Sequence, residues 1–256
     1  MLRNLLTKPD LLVLSVLLLI SVGLSALFYH RQHAYFLELQ RTHLDPLGLR
    51  FYSTARSENA SPPDKPAVVF FGDSRAQQWP MPRVSDMAFI NRGVGGQTSA
   101  QALGRLPYDV LPLNPAIVVI QVGINDLKTI PSFPDRKAEI VAKCKEHIRQ
   151  IVNSSAQNGA QVVVTTIFPL GQTPVVGGAS GSREVEAAID EVNRFIVSLA
   201  GNKVKVFDAA GILADGDGKT DSLYSKNRLH LSRTGYNELN QELVHILRTS
   251  LIWCWE

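Results

Sequence analysis

A chain of 256 residues, 45% hydrophobic and 19% charged, is long enough for one α/β domain of ordinary size plus a short appendage, and its composition excludes a disordered protein. Its 26 basic and 23 acidic residues leave a net charge of only +3, with no dense basic run, which excludes a nucleic-acid partner. Two cysteines, Cys144 and Cys254, give neither a CxxC pair nor a metal spacing, and leave open a disulfide between them or two separate thiols.

Residues 1–10 are read as an N-terminal tail. Leu11–Tyr29 then carries no charge over nineteen residues, a length that at helical rise spans roughly 28 Å, close to the hydrocarbon thickness of a bilayer. A transmembrane anchor over residues 11–29 is the expectation. A cleaved signal peptide is its rival, since Arg3 and Lys8 supply a positive leader; however, the apolar run exceeds the usual length and no A-x-A site follows. Arg31 and Arg41 lie beyond the other end, so charge hardly orients the helix. The short tail before a large domain favours an extracytoplasmic domain, periplasmic or extracellular. Residues 30–66 are read as a juxtamembrane segment, helical to about Leu49, and a linker rich in proline and small polar residues (Ser57–Pro66). Asn59-Ala-Ser and Asn153-Ser-Ser match the glycosylation triplet, which matters only in a glycosylating secretory pathway.

The compact domain is assigned to residues 67–256. Ala67–Phe71, Ala116–Val122, Val162–Ile167 and Val204–Phe207 are short, apolar and rich in β-branched residues, as buried parallel strands are. Ser99–Leu111, Arg136–Asn158, Ser182–Ala200 and Ser232–Leu251 carry helical spacing; Ile140, Cys144, Ile148 and Ile151, for example, fall near one face. The alternation predicts a doubly wound parallel sheet with helices on both faces, whose ligands bind beyond the carboxyl ends of the strands.

Four short blocks fall in that region. Gly72-Asp73-Ser74-Arg75 follows the first strand, where a serine at a strand-to-helix turn exposes its hydroxyl and frees its N–H; an N-capping serine is the plainer alternative. Asn91–Ser99 holds glycines at 93, 95 and 96 that let backbone approach a ligand, or simply turn the chain. Val122-Gly-Ile-Asn125-Asp126 would place an amide donor at the same edge, or is only a turn or cap, with Asp126 as a local hydrogen-bonding residue. Asn227-Arg-Leu-His230 precedes the last helix and offers the best base among six histidines.

In order and interval these blocks resemble the SGNH (GDSL) hydrolase superfamily over about Ala67–Leu247. NRGVGGQTSAQALGRLP is similar to bacterial thioesterase/lysophospholipase members, and the wider layout to the platelet-activating-factor acetylhydrolase-like branch. The resemblance implies a three-layer α/β/α sandwich with a parallel sheet and a serine esterase needing neither metal nor organic cofactor. It assigns Ser74 as nucleophile and His230 as base. Ser74, Gly96 and Asn125 become oxyanion donors, and Asp73 a supporting residue. The family normally has aspartate where Asn227 stands, so an orienting group without charge is expected beside His230. Asp221 is the alternative acid, nine residues from His230. Asp215–Asp221 has a faint calcium-loop look but lacks the distal glutamate and is read as a turn. The expected substrate is a small-molecule, glycan or lipid ester, first of all a small-acyl one, with Leu170–Gly181 as a candidate substrate loop. O-acyl transfer, and a binding module made inert by Asn227, are the competing readings.

Overall fold

The computed structural model describes residues 8–52, 65–172 and 179–251. The chain divides into two compact units, Met1–Pro46 and Leu47–Glu256. The first holds a single helix, α1 (Lys8–Leu44), 37 residues long. Its apolar residues are spread around the helix rather than gathered in one stripe, and they are exposed, Leu19 by 71%. The stretch Pro9–Leu44 is long and apolar enough to cross a membrane. α1 stops five residues short of the expected end at Leu49, and Leu47–Tyr52 belongs to the second unit.

The second unit is built on five parallel strands, β1 (Ala67–Gly72), β2 (Ala88–Gly93), β3 (Ile117–Gln121), β4 (Gln161–Thr165) and β5 (Val204–Phe207), in the order β2-β1-β3-β4-β5. This is the flavodoxin-like order, whose crevice lies where the chain reverses direction, between β1 and β3. β1 is buried from end to end because both faces are covered. Val69 and Phe71 pack on one side with α3 (Ser99–Asp109), α5 (Lys137–Gln157) and α6 (Ala179–Val197). Val68 and Phe70 pack on the other with Trp79, Phe168 and α7 (Arg233–Leu251). Each such side chain contributes about 1.5–3 kcal/mol on burial, which fixes the strand between the two helical layers.

Four strands and four long helices match the sequence expectation within a few residues. The fifth strand, β2, does not: Asn91, Arg92 and Gly93, expected in a glycine-rich loop, lie in the sheet, Asn91 opposite Phe70 and Gly93 opposite Gly72. The polar pair hid the strand, and its side chains are spent on the fold. Asn91 Nδ2 donates to the carbonyls of Ala76 and Gln77, and Arg92 Nε to that of Asp109. Cys144 is buried on α5, whereas Cys254, the Asn59 triplet and residues 173–178 of the candidate substrate loop lie outside the described residues. Asn153 is exposed on α5.

Candidate active site

The nucleophile candidate is placed by the turn from β1 into α2 (Ser74–Gln77). Gly72 has φ +148°, and a Cβ there would fall 1.7 Å from the Gln121 carbonyl oxygen, so the turn requires glycine. Asp73 donates its N–H to that carbonyl, and its Oδ1 accepts from Arg75 N at 2.8 Å. Asp73, not Ser74, therefore caps α2, which leaves the Ser74 hydroxyl free of capping. It lies 3.1 Å from His230 Nε2, although 156 residues separate the two.

The far side of the His230 ring faces Asn227, with Nδ1 to Oδ1 at 3.1 Å. The same Oδ1 accepts from the backbone N–H groups of Leu229 and His230, each at 3.0 Å. Two backbone donors thus fix the amide with its oxygen toward the ring. An oxygen there accepts the proton of Nδ1, which leaves Nε2 unprotonated and ready to take the Ser74 proton. The usual hazard of asparagine in this role, an amide nitrogen that stabilises the wrong tautomer, is removed by that anchoring. The missing charge is not replaced. His230 is held below the usual histidine value by burial, then by the positive charges of Arg75, Lys226 and Lys128. The imidazolium is therefore disfavoured.

Arg75 is the residue that sequence reasoning passed over. It is 1% exposed; Nε donates to the Leu229 carbonyl at 2.8 Å and Nη1 to that of Phe168 at 3.0 Å. Its own carbonyl accepts from Tyr236 Oη at 2.9 Å. The residue after Ser74 thereby holds the residue before His230. Burial pushes its guanidinium down to about 10, and pushes the Asp73 carboxyl up to about 6 against the opposing pull of Arg75. Asp73 Oδ2 has no hydrogen-bond partner among the described residues. An arginine at this site carried no sequence signal beyond its adjacency to Ser74.

Beyond β2, Gly95 runs beside Ser74: a Cβ on it would lie 3.8 Å from Ser74 Cβ. Gly96 follows with φ +77°. Asn125, on α4 (Ile124–Leu127), is 4% exposed and gives one amide hydrogen to the Gln97 carbonyl at 2.9 Å, which leaves its second. The remaining candidates are used locally. Asp126 accepts from Ser99 N and Oγ at 2.8 and 2.7 Å, at the start of α3, and Ser99 Oγ lies 3.0 Å from His147 Nδ1. Asp221 accepts from Leu223 N and has no bond to His230 among the described residues. Asp215 Oδ1 accepts from the N–H groups of Asp217 and Lys219, a turn closed by its own aspartate.

A proton-accepting imidazole on a serine hydroxyl, beside a glycine loop and an amide donor, is an arrangement able to form and stabilise a tetrahedral oxyanion. Known proteins resemble this chain in sequence and in fold. A Bacillus subtilis protein described as an uncharacterized lipoprotein is 27% identical over 145 residues, 50% of this chain and 58% of the relative. The chain thus spans little more than half the length of that relative. A GDSL-like lipase from Bacteroides thetaiotaomicron shares the fold with a TM-score of 0.65 and 24% identity, over 80% of this chain and 98% of its own. A catalytic mutant of an acetylxylan esterase from Geobacillus stearothermophilus does so with a TM-score of 0.53 and 16% identity, over 70% and 93%. Residues 59–237 match the GDSL-like lipase/acylhydrolase family. The chain belongs to that family.

Proposed function

We propose that this chain is a membrane-anchored serine esterase that removes small acyl groups, such as acetyl, from a carbohydrate or lipid. The observation that carries the reading is the relay from Ser74 Oγ through His230 to Asn227 Oδ1, two contacts of 3.1 Å with the ring tautomer set by backbone donors. His230 takes the Ser74 proton as Ser74 attacks the ester carbonyl, and the Ser74–acyl bond forms as the alcohol leaves with that proton. The oxyanion is met by the N–H groups of Ser74 and Gly96 and the free amide hydrogen of Asn125. Water repeats the sequence and frees the acid. Asp73 supports the site by capping the turn that presents Ser74.

A small acyl group comes first because the sequence holds no long apolar insertion that would build a tunnel for a fatty chain. The acetylxylan esterase of the same fold acts, by its name, on acetyl esters of a polysaccharide, and that substrate class is proposed here. Anchoring is supported by the exposed apolar surface of α1, where each large side chain left in water forgoes about 1.5–3 kcal/mol, and by the lipoprotein description of the Bacillus subtilis relative. With the helix N-terminus inside, the domain lies outside the cytoplasm. The test is hydrolysis of p-nitrophenyl acetate and of acetylated oligosaccharides by the purified full-length chain, with Ser74→Ala prepared in parallel. Turnover that survives in Ser74→Ala contradicts the assignment. Release of the full-length chain from membranes by carbonate contradicts the anchor.

A further inference from the structure

Between the end of α1 at Leu44 and the linker, Leu47–Tyr52 belongs to the same compact unit as the sheet. Its contacts converge on one loop. Tyr52 Oη donates to the Gly93 carbonyl at 2.6 Å, at the point where β2 ends, and the Arg92 guanidinium stacks over the Tyr52 ring at 4.8 Å. Four residues later the same loop is held again: Gln97 Nε2 donates to the Leu47 carbonyl at 2.7 Å. The approach is close. Gly48 takes φ +68°, where a Cβ would come within 2.8 Å of Gln97 Nε2, and Leu47 covers Gly104 on α3, where a Cβ would come within 2.6 Å of Leu47 Cδ2. The two held points bracket Gly95 and Gly96.

Gln97 carries the connection inward. It is 4% exposed and every polar group of its side chain is engaged: Nε2 with Leu47, and Oε1 with Arg105 Nε at 2.5 Å. Arg105 in turn donates through Nη2 to the Gly72 carbonyl at 2.8 Å, under the nucleophile turn. The Gln97 main-chain carbonyl is the acceptor that orients Asn125. We propose that Leu47–Tyr52 is a strap that clamps the Val94–Gln97 loop at both ends and thereby sets Gly96 and Asn125 as oxyanion donors. This rests on the esterase reading above. The segment that joins the anchor helix to the domain is then a positioning element of the enzyme and more than a tether. Without it the Gln97 amide is a buried donor lacking an acceptor, a penalty that the loop escapes only by moving.

Two substitutions in the full-length chain, held in detergent micelles, separate this from general packing. Tyr52→Phe removes the hydroxyl and keeps the ring. Gln97→Glu turns the donor facing the Leu47 carbonyl into an acceptor, while Arg105 keeps an oxygen partner and Asn125 keeps the main-chain one. Each is expected to lower kcat for p-nitrophenyl acetate, per Ser74 titrated by a fluorophosphonate, by roughly tenfold, short of the 10²–10³ typical when an oxyanion donor is lost outright. KM is expected to hold within about twofold, since the donors act in the transition state. Affinity for an alkylboronic acid, whose tetrahedral adduct uses the same donors, should fall in parallel with kcat. Amide hydrogen exchange at Val94–Gln97 should quicken in both variants. Unchanged kcat per titrated serine and unchanged boronate affinity in both variants overturn the strap. If the wild type neither hydrolyses nor labels, the esterase reading fails on its own. The strap is then judged by exchange, and unchanged rates at Val94–Gln97 overturn it.

Discussion

The two ends of the relay are built in opposite ways. Ser74 stands between side chains that are 0% and 1% exposed, Asp73 and Arg75, on a turn whose glycine admits no substitute. Its posture is fixed by the sheet and by two packed layers. His230 and Asn227 stand on a loop at the surface, Asn227 exposed and His230 half-buried. Their posture depends on a handful of hydrogen bonds: three to Asn227 Oδ1, the Lys226 N–H donated to the His230 carbonyl, and Arg75 reaching across to Leu229. The contrast shows where the family pattern can change. A substitution in the buried frame leaves an unpaired polar group or a clash, whereas asparagine in the loop keeps every hydrogen bond and gives up only a charge.

The largest effect should come from taking away the base. His230→Ala is expected to lower kcat/KM for p-nitrophenyl acetate by at least about 10³-fold while circular dichroism and melting temperature stay near wild type, because an exposed loop carries little of the core. A large drop in melting temperature would show that the loop is structural and break the comparison.

Arg75→Met should come next and should behave in the opposite manner. It removes two charge-assisted hydrogen bonds of a buried side chain and the cation whose charge weighs most on His230, so both melting temperature and kcat should fall, kcat by roughly 10–10²-fold. The acid limb of kcat/KM should move up toward the ordinary histidine value of about 6.5. A purely structural arginine would lower stability and leave that limb in place.

Much of this was legible in the sequence, and the omissions have physical causes. β1 could be read because a strand covered on both faces must be apolar throughout, and the nucleophile turn because its glycine is obligatory. β2 could not, because half-buried Asn91 and buried Arg92 spend their side chains on main-chain carbonyls, and a charged residue with a partner distant in sequence has no local pattern. Arg75 and Gln97 escaped for the same reason. Their partners, Leu229 and Leu47, lie 154 and 50 residues away. His230 stands out in the sequence because it precedes a helix in a recognisable block. That Asn227 could hold the correct tautomer depended on two backbone donors visible only in the fold.

Asn227→Asp sharpens the comparison. If the loop lacks only charge, the carboxylate should raise kcat/KM by roughly tenfold, the factor that corresponds to about 1.4 kcal/mol of added transition-state stabilisation. The pH profile gives the sign independently. In the wild type, burial and the surrounding cations hold His230 below the usual value, so its neutral, active form persists to lower pH and the acid limb lies below about 6.5. A neighbouring carboxylate favours the charged ring and must move that limb upward. A faster variant with an unmoved limb would mean that the gain did not come through His230.

The smallest effect is expected at Asp221. Asp221→Ala should remain within about twofold of wild-type kcat/KM in a steady-state assay, as ordinary for a substitution that touches no reacting group, because its carboxylate closes a local turn. A severe loss would identify it as the acid that orients His230.

The proposal that Ser74 is a nucleophile activated by His230 can be put to fluorophosphonate labelling of the full-length chain. Stoichiometric modification mapped by mass spectrometry to Ser74 is expected, abolished in Ser74→Ala, slowed at least about 10²-fold in His230→Ala, and retained in Asn227→Asp. Failure of both the wild type and Asn227→Asp to label would contradict it and leave an inert binding module on an esterase fold.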